Sequence, residues 1–274
     1  MSPLVSTEEL ARRPGWRVFD CRHDLLKPDL GEQQYRQGHI PGARFAHLDR
    51  DLSAPKNGKN GRHPLPDPAV FIAWLGAQGL TPADTVVCYD GGSGSMAARL
   101  WWLLRWVGHD AVAVLDGGYA RWVKEGRPVT VEVPEFAATV YPGKVRAPMS
   151  VDAAYVERHL RDAVHVDARS PARWRGEAEP IDPEAGRIPG SLNRFSNDNL
   201  APEGGFKPSA QLRREFEAVL AGRPADGAVH SCGSGVAACH NLLAMEIAGL
   251  RGGRLYGGSW SEWIADPARP RERG

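Results

Sequence analysis

The sequence predicts an α/β protein of two tandem, homologous units, each a mostly parallel sheet flanked by helices. Three observations predict it: an internal repeat running the length of the chain, an alternation of short β-branched strands with amphipathic helices, and a glycine-rich loop after a strand in each half. The repeat is read in four ordered pairs. Val18-Phe-Asp20-Cys-Arg22 recurs as His165-Val-Asp167-Ala-Arg169, 147 residues later, and Gly38-His-Ile-Pro-Gly-Ala43 recurs as Gly186-Arg-Ile-Pro-Gly-Ser191, 148 residues later. The loop beginning at Asp90 parallels the loop beginning at Cys232, and Leu115-Asp-Gly117-Gly118 with Trp122 parallels Leu255-Tyr-Gly257-Gly258 with Trp263. The slow drift of the offset is what insertions and deletions in loops produce.

In the first unit, residues Arg17–Asp20, 85–89 and 111–115 read as strands. Residues 67–79 and 96–107 read as helices, the first opened by Asp67-Pro68, which pairs a capping acceptor with a ring that presets helical φ. In the second, 163–167 and 227–230 read as strands, with helices near 151–161, 209–221 and 236–248. Strand–helix alternation at this spacing implies a parallel sheet covered on both faces, with ligands beyond the carboxyl ends of the strands. Between the units, Pro134, Pro142, Gly143 and Pro148 interrupt any helical period. The expected division is therefore 1–130 for a first unit, 131–149 for a linker and 150–274 for a second.

The 274 residues are 42% hydrophobic and 24% charged, enough apolar material for two cores. A formal net charge of +1 gives no bulk electrostatic reason to expect nucleic acid or an anionic membrane as partner. The N-terminus lacks a basic segment followed by an apolar one, and the longest apolar stretch, Leu100-Trp-Trp-Leu-Leu, stops at Arg105. A cytoplasmic, monomeric protein is the expectation. Cys21, Cys88, Cys232 and Cys239 show no C-x-x-C spacing, so neither a metal nor a cofactor is expected.

Cys232 is the most informative residue. It follows the apolar run Ala228-Val-His-Ser and opens Cys232-Gly233-Ser234-Gly235-Val236-Ala237, a small-residue loop leading into a helix. Such a loop can aim successive backbone N–H groups at one point, and the helix adds its own unpaired N–H groups and dipole. That environment favours a thiolate, hence a nucleophile. The alternative is a buried structural cysteine, the reading that suits Cys21, Cys88 and Cys239. Asp90 stands where Cys232 would in the first unit, so one unit is expected to be catalytic and the other not.

Over nearly its whole length the chain resembles the two-domain rhodanese-type sulfurtransferases. The resemblance rests on the two Ile-Pro-Gly motifs, the two Gly-Gly motifs and the cysteine loop. Cys-Gly-Ser-Gly-Val-Ala-Ala is most similar to the loop of the 3-mercaptopyruvate subfamily, with Ala237 in place of its usual threonine. The resemblance implies two rhodanese-like domains and a persulfide at Cys232. It implies a small donor, 3-mercaptopyruvate or thiosulfate, and an acceptor thiol such as thioredoxin, or cyanide. It also implies that Arg173 binds the donor's carboxylate and that Asp49, His63 and Ser234 form a proton relay, Asp49 and His63 reaching over from the first domain. Gly233, Gly235, Val236 and Ala237 would line the substrate loop. The second substrate arginine of the subfamily is absent, since the chain runs Ile181-Asp182 there, and Arg187 is the candidate replacement. On residue type alone, His63 and Asp49 also fit exposed loop positions and Arg173 a solvated surface. Thiosulfate:cyanide sulfur transfer is the alternative within the class; a rhodanese-fold phosphatase or arsenate reductase is a more distant one, since that chemistry needs an arginine six residues after the cysteine, where Ala238 stands. A non-catalytic binding module is another.

Overall fold

The computed structural model describes residues 1–274 and divides into two compact units. One gathers Met1–Ala54, Pro66–Arg146 and Pro202–Gly205; the other gathers Pro55–Leu65, Ala147–Ala201 and Phe206–Gly274. The division is therefore not a single cut near residue 130. Pro55–Leu65, which carries His63, is part of the unit that holds Cys232.

The first unit runs β1 (Leu4–Val5), α1 (Thr7–Ala11), β2 (Arg17–Asp20), α2 (Leu30–Gln37), β3 (Ala43–Phe45), α3 (Pro68–Ala77), β4 (Val86–Tyr89), α4 (Ser95–Trp106), β5 (Val112–Leu115) and α5 (Gly118–Lys124). Its five strands are all parallel, in the order β1-β5-β4-β2-β3. β4 is central, with Val87 opposite Val18 on one side and Ala113 on the other, and all four of its residues are buried. A strand covered on both faces has no reason to alternate, which is why Val-Val-Cys-Tyr is apolar throughout. Asp67 caps α3 by accepting the N–H groups of Ala69 and Val70 at 2.8 and 3.2 Å. The proline-rich stretch after Thr130 has no regular element through Arg146, yet it is fastened to this unit. Thr139 bonds the carbonyls of Gly76 and Leu80, and Lys144 and Arg146 bond those of Val107 and Trp106.

The second unit runs β6 (Ser150–Val151), α6 (Ala153–Arg158), β7 (His165–Asp167), α7 (Pro171–Arg175), β8 (Leu192–Asn193), α8 (Ser209–Leu220), β9 (Val229–Ser231), α9 (Ala237–Ile247), β10 (Arg254–Tyr256) and α10 (Ser259–Trp263). Its parallel order, β6-β10-β9-β7-β8, repeats that of the first unit strand for strand. Every strand and long helix expected from the sequence is present, within three residues at each end. The unexpected elements are β1, β6, β8 and the helices α1, α7 and α10, none longer than five residues, together with β3, β10, α2 and α5. The strands and the five-residue helices carry too little periodicity to register in a sequence.

The repeated Asp-x-Arg motif makes the same corner twice. Arg22 forks onto the carboxylate of Asp20 and reaches the carbonyl of Gly38 at 2.7 Å; Arg169 forks onto Asp167 and reaches the carbonyl of Gly186 at 2.8 Å. Both arginines are buried and backed by an aromatic ring, Tyr119 and Trp260 respectively. No helix is long and apolar enough to cross a membrane.

Candidate active site

Cys232 lies one residue beyond the carboxyl end of β9, the central strand of its sheet. The Sγ accepts the backbone N–H of Gly235 at 3.1 Å and that of Ser234 at 3.4 Å, and the residue is only 3% exposed. Gly235 is required here twice over: its φ is +79°, and a Cβ would lie 2.3 Å from the carbonyl oxygen of Gly257. The loop is held from below by the start of α10. Ser259 Oγ accepts the N–H of Cys232 at 3.0 Å, while the N–H groups of Trp260 and Ser261 donate to the carbonyls of Cys232 and Gly233. Ser259 takes a left-handed φ of +55° to do this, a backbone strain that the surrounding bonds hold in place. Val236 caps α9 and Ala237 is its first residue, so both expected loop positions stand at that helix start.

Beside the loop is a cluster of four charged side chains. Arg173, on α7, forks onto Glu179 at 3.0 and 2.7 Å and touches Asp182 Oδ2 at 3.0 Å. Arg62 meets the same Asp182 from the other side, Nε to Oδ1 at 2.9 Å and Nη2 to Oδ2 at 3.4 Å. The guanidinium ends of both arginines are over Gly233, 2.5 Å (Arg62) and 3.3 Å (Arg173) from where a Cβ would stand. Burial pushes Asp182 above the usual carboxylate range, and neighbouring Glu179 adds to that, against the pull of the arginines. Glu179 stays below its ordinary value although burial opposes it, because Arg173 and the backbone N–H groups of Asp182 and Ile181 bond its charged form. Burial also disfavours the charge on Arg169, yet Asp167, Glu179 and the Cys232 sulfur hold it in place.

His63 is buried, 4% exposed, and its Nδ1 lies 2.8 Å from Ser234 Oγ, next to the N–H that Cys232 accepts. The bland reading of His63 as an exposed loop residue fails because the chain returns at Pro55–Leu65: the Arg62 N–H bonds Ser261 Oγ at 3.0 Å, and Leu65 packs on Gly257. Asp49 belongs to the first unit, its carboxylate 3.9 Å from His23 Nε2.

Arg187 is occupied elsewhere in its unit. It pairs with Glu272, bonds the carbonyl of Gly274 and stacks on Trp174 with 4.2 Å between guanidinium carbon and ring centre. Arg62, Asp182, Glu179 and Ser259 were not singled out by sequence reasoning. For Arg62 a signal existed, adjacency to His63 in Gly61-Arg-His-Pro; for the others there was none.

In the first unit, His23, His47 and Asp49 bring one potential ligand atom each within 4.8 Å of one another. His47 Nδ1 accepts the N–H groups of Asp49 and Arg50, which leaves the proton of the neutral ring on Nε2 and removes that nitrogen as a donor to a metal. The remaining cysteines are buried and unbridged, and burial together with Cys88 raises the Cys21 thiol well above its ordinary range.

A family model for the rhodanese-like domain matches the chain twice, at residues 6–125 and 152–266. A probable 3-mercaptopyruvate sulfurtransferase from Pseudomonas aeruginosa is 48% identical over 274 residues, covering 97% of this chain and 96% of the relative. A putative thiosulfate sulfurtransferase from Mycobacterium tuberculosis is 37% identical, covering 94% and 90%. Among solved structures, a 3-mercaptopyruvate sulfurtransferase from Leishmania major superposes with a TM-score of 0.86 at 31% identity, covering 95% of this chain and 73% of that one.

Proposed function

The chain belongs to the rhodanese family, and on that premise we propose that it is a sulfurtransferase taking sulfur from 3-mercaptopyruvate through a Cys232 persulfide. The observation that carries the reading is the sulfur of Cys232 in a cradle of backbone N–H groups, with guanidinium groups over the adjacent Gly233. The Cys232 thiolate attacks the donor's sulfur, a sulfur–sulfur bond forms, and the carbon–sulfur bond breaks with its electron pair going to the enolate of pyruvate. Protonation of that enolate gives pyruvate. The N–H cradle holds the negative charge on sulfur, and Arg173, its fork kept on Glu179, supplies a fixed cation for the carboxylate. His63 and Ser234, 2.8 Å apart, relay a proton between the donor and the site in this reading. A thiol or cyanide then attacks the outer sulfur and releases the Cys232 thiolate.

A second reading has thiosulfate as donor, leaving as sulfite. Two guanidinium groups beside Gly233 supply charge that a dianion needs, although no basic residue follows Cys232 directly in the chain. Steady-state kinetics with both donors side by side separate the readings. The expected result is parallel double-reciprocal lines and a higher kcat/KM for 3-mercaptopyruvate; a higher value for thiosulfate selects the second reading, and turnover of neither overturns both.

A further inference from the structure

We infer that Arg62 is a second cation for the donor's anionic group and that Asp182 is a built-in anion which the donor must displace from it. This rests on the sulfurtransferase reading above and names residues that select the donor.

Three observations carry it. First, the two arginines converge from different segments, Arg173 from α7 and Arg62 from Pro55–Leu65, and both end over the residue that follows the nucleophile. Any anion delivered to Cys232 meets both guanidinium groups. Second, Asp182 already sits between them in the place an incoming carboxylate would take, bridging Arg62 and Arg173 with its two oxygens. Its hold on Arg62 is a close ion pair with one long hydrogen bond, Nη2 to Oδ2 at 3.4 Å. The buried Arg62 Nε makes no hydrogen bond despite its 2.9 Å approach to Oδ1, so a better-aligned acceptor would gain a charge-assisted bond there. Arg173, by contrast, keeps its fork on Glu179 whatever Asp182 does. Third, the cluster balances Arg62, Arg173 and Arg169 against Asp182, Glu179 and Asp167. A donor anion makes it one negative charge in excess unless Asp182 turns away or takes a proton. Burial already pushes Asp182 toward the protonated form. The backbone of Arg62 is tethered independently through Ser261, so its side chain can be changed without releasing the segment.

The test is KM and kcat for 3-mercaptopyruvate in the wild type, Arg62→Gln and Asp182→Asn, with the thermal midpoint of each. Loss of a ground-state anion contact raises KM with little change in kcat. Arg62→Gln is expected to raise KM about tenfold or more with kcat within about threefold, as removal of one charge-assisted contact does. Asp182→Asn, which removes the competing anion at constant shape, is expected to lower KM severalfold, and Arg62→Lys to recover part of the Arg62→Gln loss. An unchanged KM in Arg62→Gln, or an unchanged or raised KM in Asp182→Asn, overturns the inference. If Arg62→Gln does not fold, Asp182→Asn decides alone. A wild type that turns over neither donor overturns the sulfurtransferase reading instead.

Discussion

The two units carry the same loop after the same central strand, and they fill it with different acceptors. In the first, the Asp90 carboxylate takes the N–H groups of Gly92 and Gly94 on one oxygen and those of Met96 and Ala97 on the other, at 2.9 to 3.4 Å. In the second, the single sulfur of Cys232 takes two. The first loop is two residues longer between its anion and the paired alanines, which gives room for a planar two-oxygen group. In both units the cradle thus aims backbone N–H groups at one side chain. Where the acceptor is a carboxylate, four N–H groups occupy it; where it is the Cys232 sulfur, the proposed function makes it the nucleophile.

The largest effect expected from that difference is on turnover. Cys232→Ser should abolish sulfur transfer with either donor, whereas Cys88→Ala, in the central strand of the other unit, should leave turnover largely intact. Mass spectrometry after donor treatment should place an added sulfur on the Cys232 peptide. Sulfur found chiefly on Cys21, Cys88 or Cys239 would mean that the cradle does not select the reactive thiol.

The next effect is on the order of a hundredfold, the scale of lost general acid–base help. His63→Ala should lower kcat for 3-mercaptopyruvate by that much and for thiosulfate by less, since departing sulfite needs no carbon protonation. Because His63 is buried, the variant should be assayed below its own melting temperature. Equal losses with both donors would reduce His63 to a packing role.

The inert loop should matter to stability alone. Asp90→Ala leaves its N–H partners without an acceptor and is expected to cost about 1.5–3 kcal/mol, the range for hydrogen bonds to a charged group. Persulfide formation at Cys232 should persist below the new unfolding midpoint. An unchanged denaturation midpoint would show that the N–H groups find other acceptors.

The smallest effect concerns the strand residue two before each acceptor. It is Cys88 in the first unit and His230 in the second, both buried, but neither ring nitrogen of His230 makes a hydrogen bond. Burial, reinforced by His165, lowers His230 to about 3; burial lowers His165 to about 4. The folded chain therefore holds both rings neutral where the unfolded chain would protonate them below about pH 6.5. Stability present above that pH should fall as pH drops toward those values, with a slope of about 1.4 kcal/mol per pH unit for each histidine. His230→Val should raise stability by about 1 kcal/mol at neutral pH and flatten this slope. Denaturant titrations at pH 7 and pH 5 check both, and a destabilised variant would mean that the imidazole packs better than its polarity costs.

The sequence by itself determined the duplication, the parallel α/β units, the glycine-rich loop that holds Cys232 and the difference between Asp90 and Cys232 at that place. These follow from motif order, apolar strand runs and glycine placement, all local properties of the chain. Arg173 beside the cysteine loop was also legible, through the family's motif. Only the tertiary structure decided what surrounds the sulfur. His63 is buried against Ser234 because Pro55–Leu65 returns to the Cys232 unit, a long-range event invisible to periodicity. Arg187 shows the converse: its residue type suited a second substrate cation, but the C-terminal Glu272 and Gly274 claim it. Arg62, Asp182 and the loop at Gly233 come from three distant stretches, and a charged cluster is defined by distances in space, which spacing along a chain does not encode.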